Sequence, residues 1–250
     1  MYLIGDIGNT EVKICIFNSK KKLLKKVILK SNLITYKYLY KHLIFLKSKK
    51  YKLHNAIFCS VVPNCYKRIR FFIKKKLITS CTELKELKLD KLIKIKVNKR
   101  QIGSDRLSNA ISVNDNKNNY IIVDFGTATT FDVVVKNNYL GGIIAPGVNL
   151  SLNTLISKAS LIPSLKLTTI NKVLGKNTKS AVKSGFYWGY TGLIEKIIKK
   201  ITNQTKKKYT IVFTGGFSHL FKKTLNDKVI INRDLTINGL LKIIHLIKQK

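Results

Sequence analysis

Two short stretches of the chain carry the same device at the end of an apolar strand. Residues 4–10 read Ile-Gly-Asp-Ile-Gly-Asn-Thr, and residues 122–130 read Ile-Val-Asp-Phe-Gly-Thr-Ala-Thr-Thr. Each ends its strand with an aspartate, Asp6 or Asp124, and a glycine two residues later allows a tight turn. Backbone N–H groups in such a turn bind anions, and the carboxylate can hold a cation. The repeat therefore predicts a fold in which two halves both bind a polyphosphate.

The segments around these stretches repeat in a similar order. In the first half we expect strands at 2–7, 11–17, 23–29, Ala56–Val62 and Leu92–Val97, and helices at Thr35–Lys49, Asn64–Leu77 and Ser104–Asn114, the last with Ser104 as its N-cap. In the second half we expect strands at 120–126, 129–136, 139–145, Thr210–Thr214 and Val229–Asn232, and helices at 148–159 and Asn177–Thr202, from Ser218 and from Ile237. An Asn137-Asn138 turn should join the second and third of these strands. Three adjacent strands followed by helix–strand alternation, twice over, predict two similar α/β domains that face each other. The polar run 114–119 marks the boundary between them.

The net charge of +36 allows two interpretations. Basic patches attract the phosphates of nucleic acids, which would make a polyanion the partner. The cations are mostly lysines spread through every segment, and Asn and Ile are also abundant. These three residues share A/T-rich codons, so genome composition accounts for the charge without a partner. We therefore take the charge as an indication of solubility, and nucleic acid is not expected as a partner.

Cysteines and histidines offer no recognisable metal site or catalytic triad in the sequence. The four cysteines contain no Cys-x-x-Cys pair, and the four histidines are dispersed. Cysteines in apolar strand-like runs, such as Cys15 and Cys59, usually behave as small buried hydrophobes. No stretch approaches about 18 uncharged apolar residues, and Asp6 interrupts the first apolar run, so neither a membrane span nor a signal peptide is expected. A reducing, cytoplasmic setting is the expectation.

Six motifs, in their order along the chain, resemble one family. They are Asp6–Lys13, Gly103–Asn109, Asp124–Thr130, Gly141–Gly147, Gly175–Thr178 with Ser184-Gly185, and Thr214–Gly216. The duplicated strand–Asp–Gly device resembles the superfamily of acetate kinases, sugar kinases and actin. Within it, the set of motifs resembles type III pantothenate kinase over nearly the whole chain. The resemblance implies two similar ribonuclease-H-like (actin-like ATPase) domains, 1–115 and 116–250, facing an interdomain cleft.

The resemblance also implies where ATP and cations bind. The family's ATP-binding residues correspond here to Asp6, Ile7, Gly8, Asn9, Thr10, Glu11, Val12, Lys13 and Thr127. An aspartate such as Asp6 can meet Mg²⁺ through water, and Lys13 would add a point charge. Asp124 corresponds to the family's ligand for a monovalent cation, K⁺ or NH₄⁺. The alternative for the first segment is a β-hairpin whose turn simply requires Gly and Asn.

The substrate-binding residues implied by the resemblance lie in two other motifs. They are Gly103, Ser104, Asp105, Arg106 and Thr178, of which Asp105 corresponds to the proton acceptor. Transfer of a phosphoryl group to an alcohol needs such a carboxylate, and a guanidinium suits a carboxylate or a phosphoryl group. The alternative for Asp105 is a helix start that favours an acid. In the family the threonine reaches pantothenate across a homodimer interface, and its alternative is a helix cap formed by Asn177 or Thr178.

Two glycine motifs can each be interpreted in two ways. Gly185, Gly189 and Gly192 share one helical face, which permits close approach of a ligand or of another helix. Thr214-Gly215-Gly216 suits either the adenosine part of a nucleotide or an ordinary turn between strand and helix.

In the family, a tyrosine and a proline usually precede the Gly-x-Asp-Arg turn, at positions where this chain has Lys96 and Lys99. The departure bears on pantothenate binding more than on phosphoryl transfer.

The resemblance predicts a homodimeric kinase that uses ATP, Mg²⁺ and a monovalent cation to convert pantothenate to 4′-phosphopantothenate, the first step of coenzyme A biosynthesis. Two alternatives stay open. A non-enzymatic accessory regulator of gene expression would bind DNA in a salt-sensitive way without needing the three aspartates. A kinase of another small hydroxyl acceptor would keep the same fold and the same phosphate-binding residues.

Overall fold

The computed structural model describes residues 1–77, 80–222, 225 and 229–244. The chain splits into two compact units, the first made of Met1–Asn114 and the segment from Asp234 onward, and the second made of Asp115–Arg233. The division after Asn114 lies one residue from the predicted boundary. The segment after Arg233, which the prediction of a 116–250 domain placed in the second half, belongs instead to the first unit.

The first unit is built on a mixed sheet. The strands of this sheet are β1 (Tyr2–Ile7), β2 (Glu11–Phe17), β3 (Leu23–Lys30), β4 (Asn55–Ser60) and β5 (Ser80–Glu83). The unit also contains the short strand β6 (Lys94–Ile95), which is not part of this sheet. Its helices are α1 (Tyr36–Leu43), α2 (Pro63–Phe72), α3 (Ser104–Val113) and, from the returning segment, α6 (Leu235–Ile243). The sheet has the order β3-β2-β1-β4-β5, in which β1 pairs antiparallel with β2 and parallel with β4.

The second unit repeats this topology. Its strands are β7 (Asn119–Phe125), β8 (Ala128–Val135), β9 (Asn138–Pro146), β10 (Thr210–Gly215) and β11 (Val229–Ile231), and its helices are α4 (Val148–Lys158) and α5 (Thr178–Thr205). These strands run in the order β9-β8-β7-β10-β11, and β7 pairs antiparallel with β8 and parallel with β10. The predicted duplication of one α/β topology is therefore confirmed.

Apolar residues at strand and helix spacing form a separate core in each unit. In α1, Leu39 and Leu43 lie four residues apart on one face and are fully buried against the first sheet. In the second unit, Phe213 of β10 and Ile194 of α5 are both fully buried in the other core. Among the described residues, no helix is both long enough and apolar enough to cross a membrane.

Three elements differ between the prediction and the structure. Strand β5 was not predicted, because its sequence Ser-Cys-Thr-Glu offers little apolar alternation. The strand predicted at Leu92–Val97 is reduced to Lys94–Ile95 in a lysine-rich stretch. The short helix expected from Ser218 is instead a series of turns, in which Leu220 N–H donates to the Phe217 carbonyl.

Two predicted end residues also shift by one position. The N-cap of α3 is Gly103 and not Ser104, whose hydroxyl group is engaged elsewhere. The turn between β8 and β9 is Lys136-Asn137 and not Asn137-Asn138, with Lys136 in the left-handed region at φ 50°. An asparagine still lies in the turn, as its tolerance of turn conformations predicts.

Candidate active site

The turn between β1 and β2 has exposed polar residues at its tip and buried apolar residues where it joins the strands. The N–H of Gly8 donates to the Glu11 carbonyl at 3.0 Å, which closes the turn and leaves Asn9 and Thr10 exposed. The side chains of Ile7 and Val12 are fully buried, so only their backbone is available to a ligand.

The carbonyl groups of this turn are bonded from the protein side. The Ser31 hydroxyl donates to the Gly8 carbonyl at 2.6 Å, and the Ser31 N–H donates to the Thr10 carbonyl at 3.0 Å. The Cys65 thiol in turn donates to the Ser31 carbonyl at 3.3 Å. The carbonyl oxygens of Gly8 and Thr10 therefore point towards Ser31. Because they do not face a bound anion, they would not repel it.

Asp6 is a carboxylate whose charge is poorly solvated. It pairs across the sheet with Lys13 of β2 on one side and with Cys59 of β4 on the other. The Cys59 thiol donates to Asp6 Oδ1 at 3.4 Å. Burial, with a smaller contribution from the Asp105 carboxylate, raises the pKa of Asp6 to about 6 against the opposing effect of Lys13. A bound cation would relieve this cost, because a nearby positive charge favours the ionised form.

The first turn of α3 holds Asp105 in a constrained position. Asp105 Oδ1 accepts a hydrogen bond from the Arg106 N–H at 2.8 Å. A Cβ atom at Gly103 would lie 2.3 Å from the same oxygen, so only glycine fits there without displacing the carboxylate. Burial raises the pKa of Asp105, and the N–H and guanidinium of Arg106 oppose that rise. The group is therefore a stronger base than an ordinary aspartate.

The structure brings Asp6 and Asp105 together within the first unit. Each carboxylate contributes to raising the pKa of the buried Cys59 thiol, and Asp105 contributes to raising that of Asp6. Both aspartates lie near the carboxyl ends of β1 and β4, the edge at which open α/β sheets bind ligands. Two of the three predicted acids thus share one site.

The corresponding turn of the second unit surrounds Asp124. This residue pairs with Thr130 of β8 and with Thr214 of β10. The Gly126 N–H closes the turn onto the Ala128 carbonyl at 3.1 Å, and the neighbouring Thr127 is exposed.

Two glycines from other motifs close around this turn. A Cβ at Gly147 would lie 2.0 Å from the Thr127 carbonyl oxygen, so this glycine rests directly on the turn. Gly215 has φ +82°, and a Cβ there would lie 2.7 Å from Asp124 Oδ1. Among the described residues no group of three or more His, Cys, Asp or Glu could hold a metal ion. A cation at Asp124 would therefore need hydroxyl or backbone oxygens as well, which suits a hard cation.

Asn177 caps the long helix α5. Its side chain accepts from the Ser180 N–H at 2.9 Å, while its own N–H donates to the Ser180 hydroxyl at 3.1 Å. This reciprocal pair is a capping box. Thr178 is the first residue of the helix, and it is exposed. The cap is thus formed by Asn177, and the Thr178 side chain lies at the surface.

A family model described as type III pantothenate kinase matches residues 2–200. The chain belongs to this family. A type III pantothenate kinase from Pelagibacter ubique is 54% identical over 248 residues, which cover 99% of this chain and 100% of that protein. A type III pantothenate kinase from Finegoldia magna is 36% identical over 252 residues, covering 95% of this chain and 94% of the relative. The family membership predicted from the motifs is confirmed.

Solved structures support the fold. A Campylobacter jejuni protein assigned to the Baf family of transcriptional activators superposes with a TM-score of 0.64 at 19% identity, covering 98% of both chains. A Sinorhizobium meliloti protein assigned as a 2-dehydro-3-deoxygalactonokinase gives a TM-score of 0.64 at 10% identity, covering 99% of both. A Cytophaga hutchinsonii protein assigned as a sugar kinase gives 0.53 at 13% identity, covering 98% of this chain and 99% of that one. At such identities the likeness shows the ribonuclease-H-like fold alone, as predicted.

The structure adds residues beside the acids that the family motifs did not indicate. Glu83, at the end of β5, accepts from the Lys85 N–H at 2.6 Å, and burial raises the pKa of its carboxyl group. The nearby Lys85 lowers the pKa of Asp105. Neither residue belongs to a motif, and Glu83 is placed by the pairing of β4 with β5, a strand that sequence patterning missed.

The two lysines that depart from the type III pantothenate kinase pattern behave differently from each other. The ammonium group of Lys99 donates to the Leu87 carbonyl at 3.3 Å, which ties two loop segments together. Lys96 is exposed to solvent. Lys99 thus has a structural contact in the place of the family's proline.

Substituting Gly215 with alanine tests the prediction that Asp124 binds a monovalent cation. The added methyl group would meet the Phe125 carbonyl oxygen at 2.6 Å and Asp124 Oδ1 at 2.7 Å, on a backbone conformation that alanine rarely adopts. We expect activation by K⁺ to be lost or to require about tenfold more K⁺, since a misplaced ligand typically costs that much in metal affinity. Initial rates over a K⁺ titration measure it. Gly216→Ala, where nothing lies within 4 Å of the added atom, is the matched control. Equal K⁺ dependence in the two variants would contradict this prediction.

Proposed function

We propose that this protein transfers the γ-phosphoryl group of ATP to pantothenate and forms 4′-phosphopantothenate. The 54% identity to a type III pantothenate kinase over nearly the full length of both chains carries this proposal. The close placement of Asp6 and Asp105 supports it, because the reaction needs a phosphate-binding site beside a proton acceptor. Because these kinase relatives extend over the whole chain, the proposal of a non-enzymatic regulator is not favoured.

Asp105 acts as the general base. Its carboxylate accepts the proton of the acceptor hydroxyl as that oxygen attacks the γ-phosphorus. Its raised pKa strengthens it for this role. Arg106, whose N–H already orients the carboxylate, has a guanidinium suited to the pantothenate carboxylate or to the transferring group.

The β1–β2 turn binds the phosphates of ATP. Asn9 and Thr10 supply exposed polar groups, and Lys13 lies directly across from Asp6 and adds positive charge. Asp6 suits Mg²⁺, because its buried carboxylate is short of compensating charge. When bound, Mg²⁺ would neutralise the developing charge on the phosphates. In the second unit, Thr127 contacts ATP and Asp124 binds a monovalent cation.

Phosphorylation of pantothenate by the purified protein tests this function. ATP-dependent formation of 4′-phosphopantothenate is followed by mass spectrometry in K⁺, NH₄⁺ and Na⁺ buffers. We expect product in K⁺ or NH₄⁺ and a much lower rate in Na⁺. An analogue in which an alcohol replaces the carboxylate of pantothenate should be a poorer substrate, since Arg106 loses its partner. ATP consumption with a different small alcohol, and none with pantothenate, would instead establish a kinase of another acceptor.

We also propose that the protein is a homodimer built on the second unit. Large apolar side chains are exposed there, namely Leu140, Ile143, Ile144, Leu150, Leu155, Leu161, Val173, Leu174 and Trp188. Gly185, Gly189 and Gly192 of α5 have nothing within 4 Å of an added Cβ, which leaves that helix face open for close approach. A contiguous exposed apolar surface usually marks an interface, and the proposal is that these side chains form one.

Replacing Trp188 with aspartate should convert the homodimer to a monomer. A charge in a buried apolar interface is costly to desolvate. Light scattering coupled to size-exclusion chromatography should show half the mass, and the KM for pantothenate should rise because Thr178 would lose the partner it serves. Leu24→Asp, at an exposed apolar position of β3 in the first unit, is the control and should stay dimeric. A monomeric wild-type protein with normal pantothenate affinity would overturn this proposal.

A further inference from the structure

Two consecutive residues at the end of β4 lie next to the two acids of the proposed active site. One contacts Asp6 directly, and the other contacts Ser104, the residue before Asp105. Cys59 directs its thiol at Asp6 Oδ1, at 3.4 Å. Ser60 bonds to the Ser104 hydroxyl twice through its backbone, donating from N–H at 2.7 Å and accepting at its carbonyl at 2.9 Å. Ser104 immediately precedes Asp105. The end of β4 is therefore linked both to β1 and to the first turn of α3.

We propose that the adjacent residues Cys59 and Ser60 act as a positioning element, which fixes the positions of the Asp6 and Asp105 carboxylates relative to each other. The Cys59 thiol orients the Asp6 carboxylate, and the Ser60 backbone anchors the turn that carries Asp105. This inference rests on the proposed function, because it assigns both acids to one phosphoryl transfer.

The contact of Cys59 is more specific than ordinary packing. A buried cysteine usually acts as a small apolar side chain, but this one is fully buried and lies beside the only carboxylate of β1. A thiol is a weak donor, and a carboxylate is a strong acceptor. The hydrogen bond to Oδ1 fixes the rotation of the carboxylate, so the other oxygen is presented in one direction.

The contact of Ser104 is equally constrained. Its side chain is fully buried, and its hydroxyl both donates to and accepts from the same residue, Ser60. The hydroxyl is thus committed to the protein and not to a substrate. The Glu83 carboxylate also lies at this junction: burial raises its pKa, and hydrogen bonding to Ser104 and Ser60 opposes that rise.

The experiment compares Cys59→Ala, Cys59→Ser and, as matched control, Cys81→Ala. Cys81 is also buried, on the neighbouring strand β5, so its truncation leaves a comparable cavity. We expect Cys59→Ala to weaken MgATP binding by about tenfold, the lower range for losing a residue that orients a metal-binding group, with kcat changed less than twofold. Cys59→Ser should bind MgATP as the wild type does, since a hydroxyl also donates to the carboxylate. Cys81→Ala should change neither quantity.

A second measurement needs no substrate at all. Infrared spectra of the ligand-free protein isolate the S–H stretch of Cys59 by difference against Cys59→Ser. Hydrogen bonding to a carboxylate should shift this band to lower frequency, and Asp6→Asn should move it back. An unshifted band, or MgATP affinity of Cys59→Ala equal to that of the wild type, would overturn the role of Cys59.

Ser104→Ala tests the other half of the element. We expect kcat to fall by roughly 10- to 100-fold, because a small displacement of a reacting group costs that much, with MgATP affinity retained. Unchanged kcat would remove Ser60 and Ser104 from the inference. Calorimetric MgATP binding and the infrared band are independent of the acceptor. If the wild type fails to phosphorylate pantothenate while these two measurements behave as expected, the proposed function falls and the orientation of Asp6 by Cys59 stands.

Discussion

Asp105→Asn is expected to lose nearly all turnover while it still binds ATP. The amide oxygen can keep the hydrogen bond from the Arg106 N–H, so the local structure is retained. The amide cannot accept the proton of the attacking hydroxyl, and loss of a general base costs about 10²- to 10⁴-fold. Single-turnover phosphorylation gives the rate, and calorimetric titration with MgATP gives the affinity.

Asp90→Asn, at an exposed position of the same unit, serves as the control and should keep the wild-type rate. The Asp105→Asn variant should also be slightly more stable than the wild type at neutral pH. Because burial raises the pKa of Asp105, the folded protein pays to keep this group ionised, and the neutral amide removes that cost. Near-normal turnover in Asp105→Asn would exclude this residue as the base.

Asp6→Asn is expected to lower kcat/KM for MgATP by about 10²-fold. Stabilisation of phosphate charge by a metal is worth several kcal/mol, and each 1.36 kcal/mol is tenfold in rate. The loss should appear both in the affinity for MgATP and in kcat, because Asp6 is expected to act on the metal–phosphate complex in the ground state and in the transition state. Raising the Mg²⁺ concentration should restore part of the activity. An unchanged kcat/KM would remove Asp6 from the nucleotide site.

The same substitution has a distinct effect on stability without ligand. The folded pKa of Asp6, about 6, lies above its ordinary value of 3.8, so the folded state binds this proton more tightly than the unfolded state. Its contribution to stability is fully present below the ordinary value and is lost as pH rises through about 6. Asp6→Asn should therefore melt above the wild type by roughly 2–8 °C at pH 7.5. At pH 4 the two proteins should melt together, and a gap that stays constant between these pH values would contradict the raised pKa.

The order of elements was largely predictable, because the two strand–Asp–Gly turns are local patterns. Each turn lies within a hairpin of neighbouring strands, so sequence alone places Asp6 beside Lys13 and Asp124 beside Thr130. The return of α6 to the first unit was not predictable, because nothing in its periodicity says which sheet it covers. Its contacts with α3 depend on the completed fold.

The motifs predicted the acidic residues of the candidate site, but not the residues that contact them. Asp6 and Asp105 stand in recognisable segments, whereas Cys59 meets Asp6 only through the parallel pairing of β1 with β4. Glu83 depends in the same way on the pairing of β4 with β5. Parallel pairing joins residues far apart along the chain, and a shift of one position would turn every side chain to the other face. Such neighbours leave no signal in a single sequence.

The helix that carries Asp105 is braced by a segment that follows the entire second unit along the chain. The Ser108 hydroxyl of α3 donates to the Thr236 carbonyl at 2.7 Å, and the Lys242 ammonium of α6 donates to the Ser112 carbonyl at 2.6 Å. On the ribosome, where chains grow at about 5–20 residues per second, α6 can complete the first unit only after the entire second unit has been synthesised. A chain that ends at Arg233, once released from the ribosome, should therefore contain a folded second unit and an unfinished first unit. Catalytic competence would arrive in a single late step, when α6 docks.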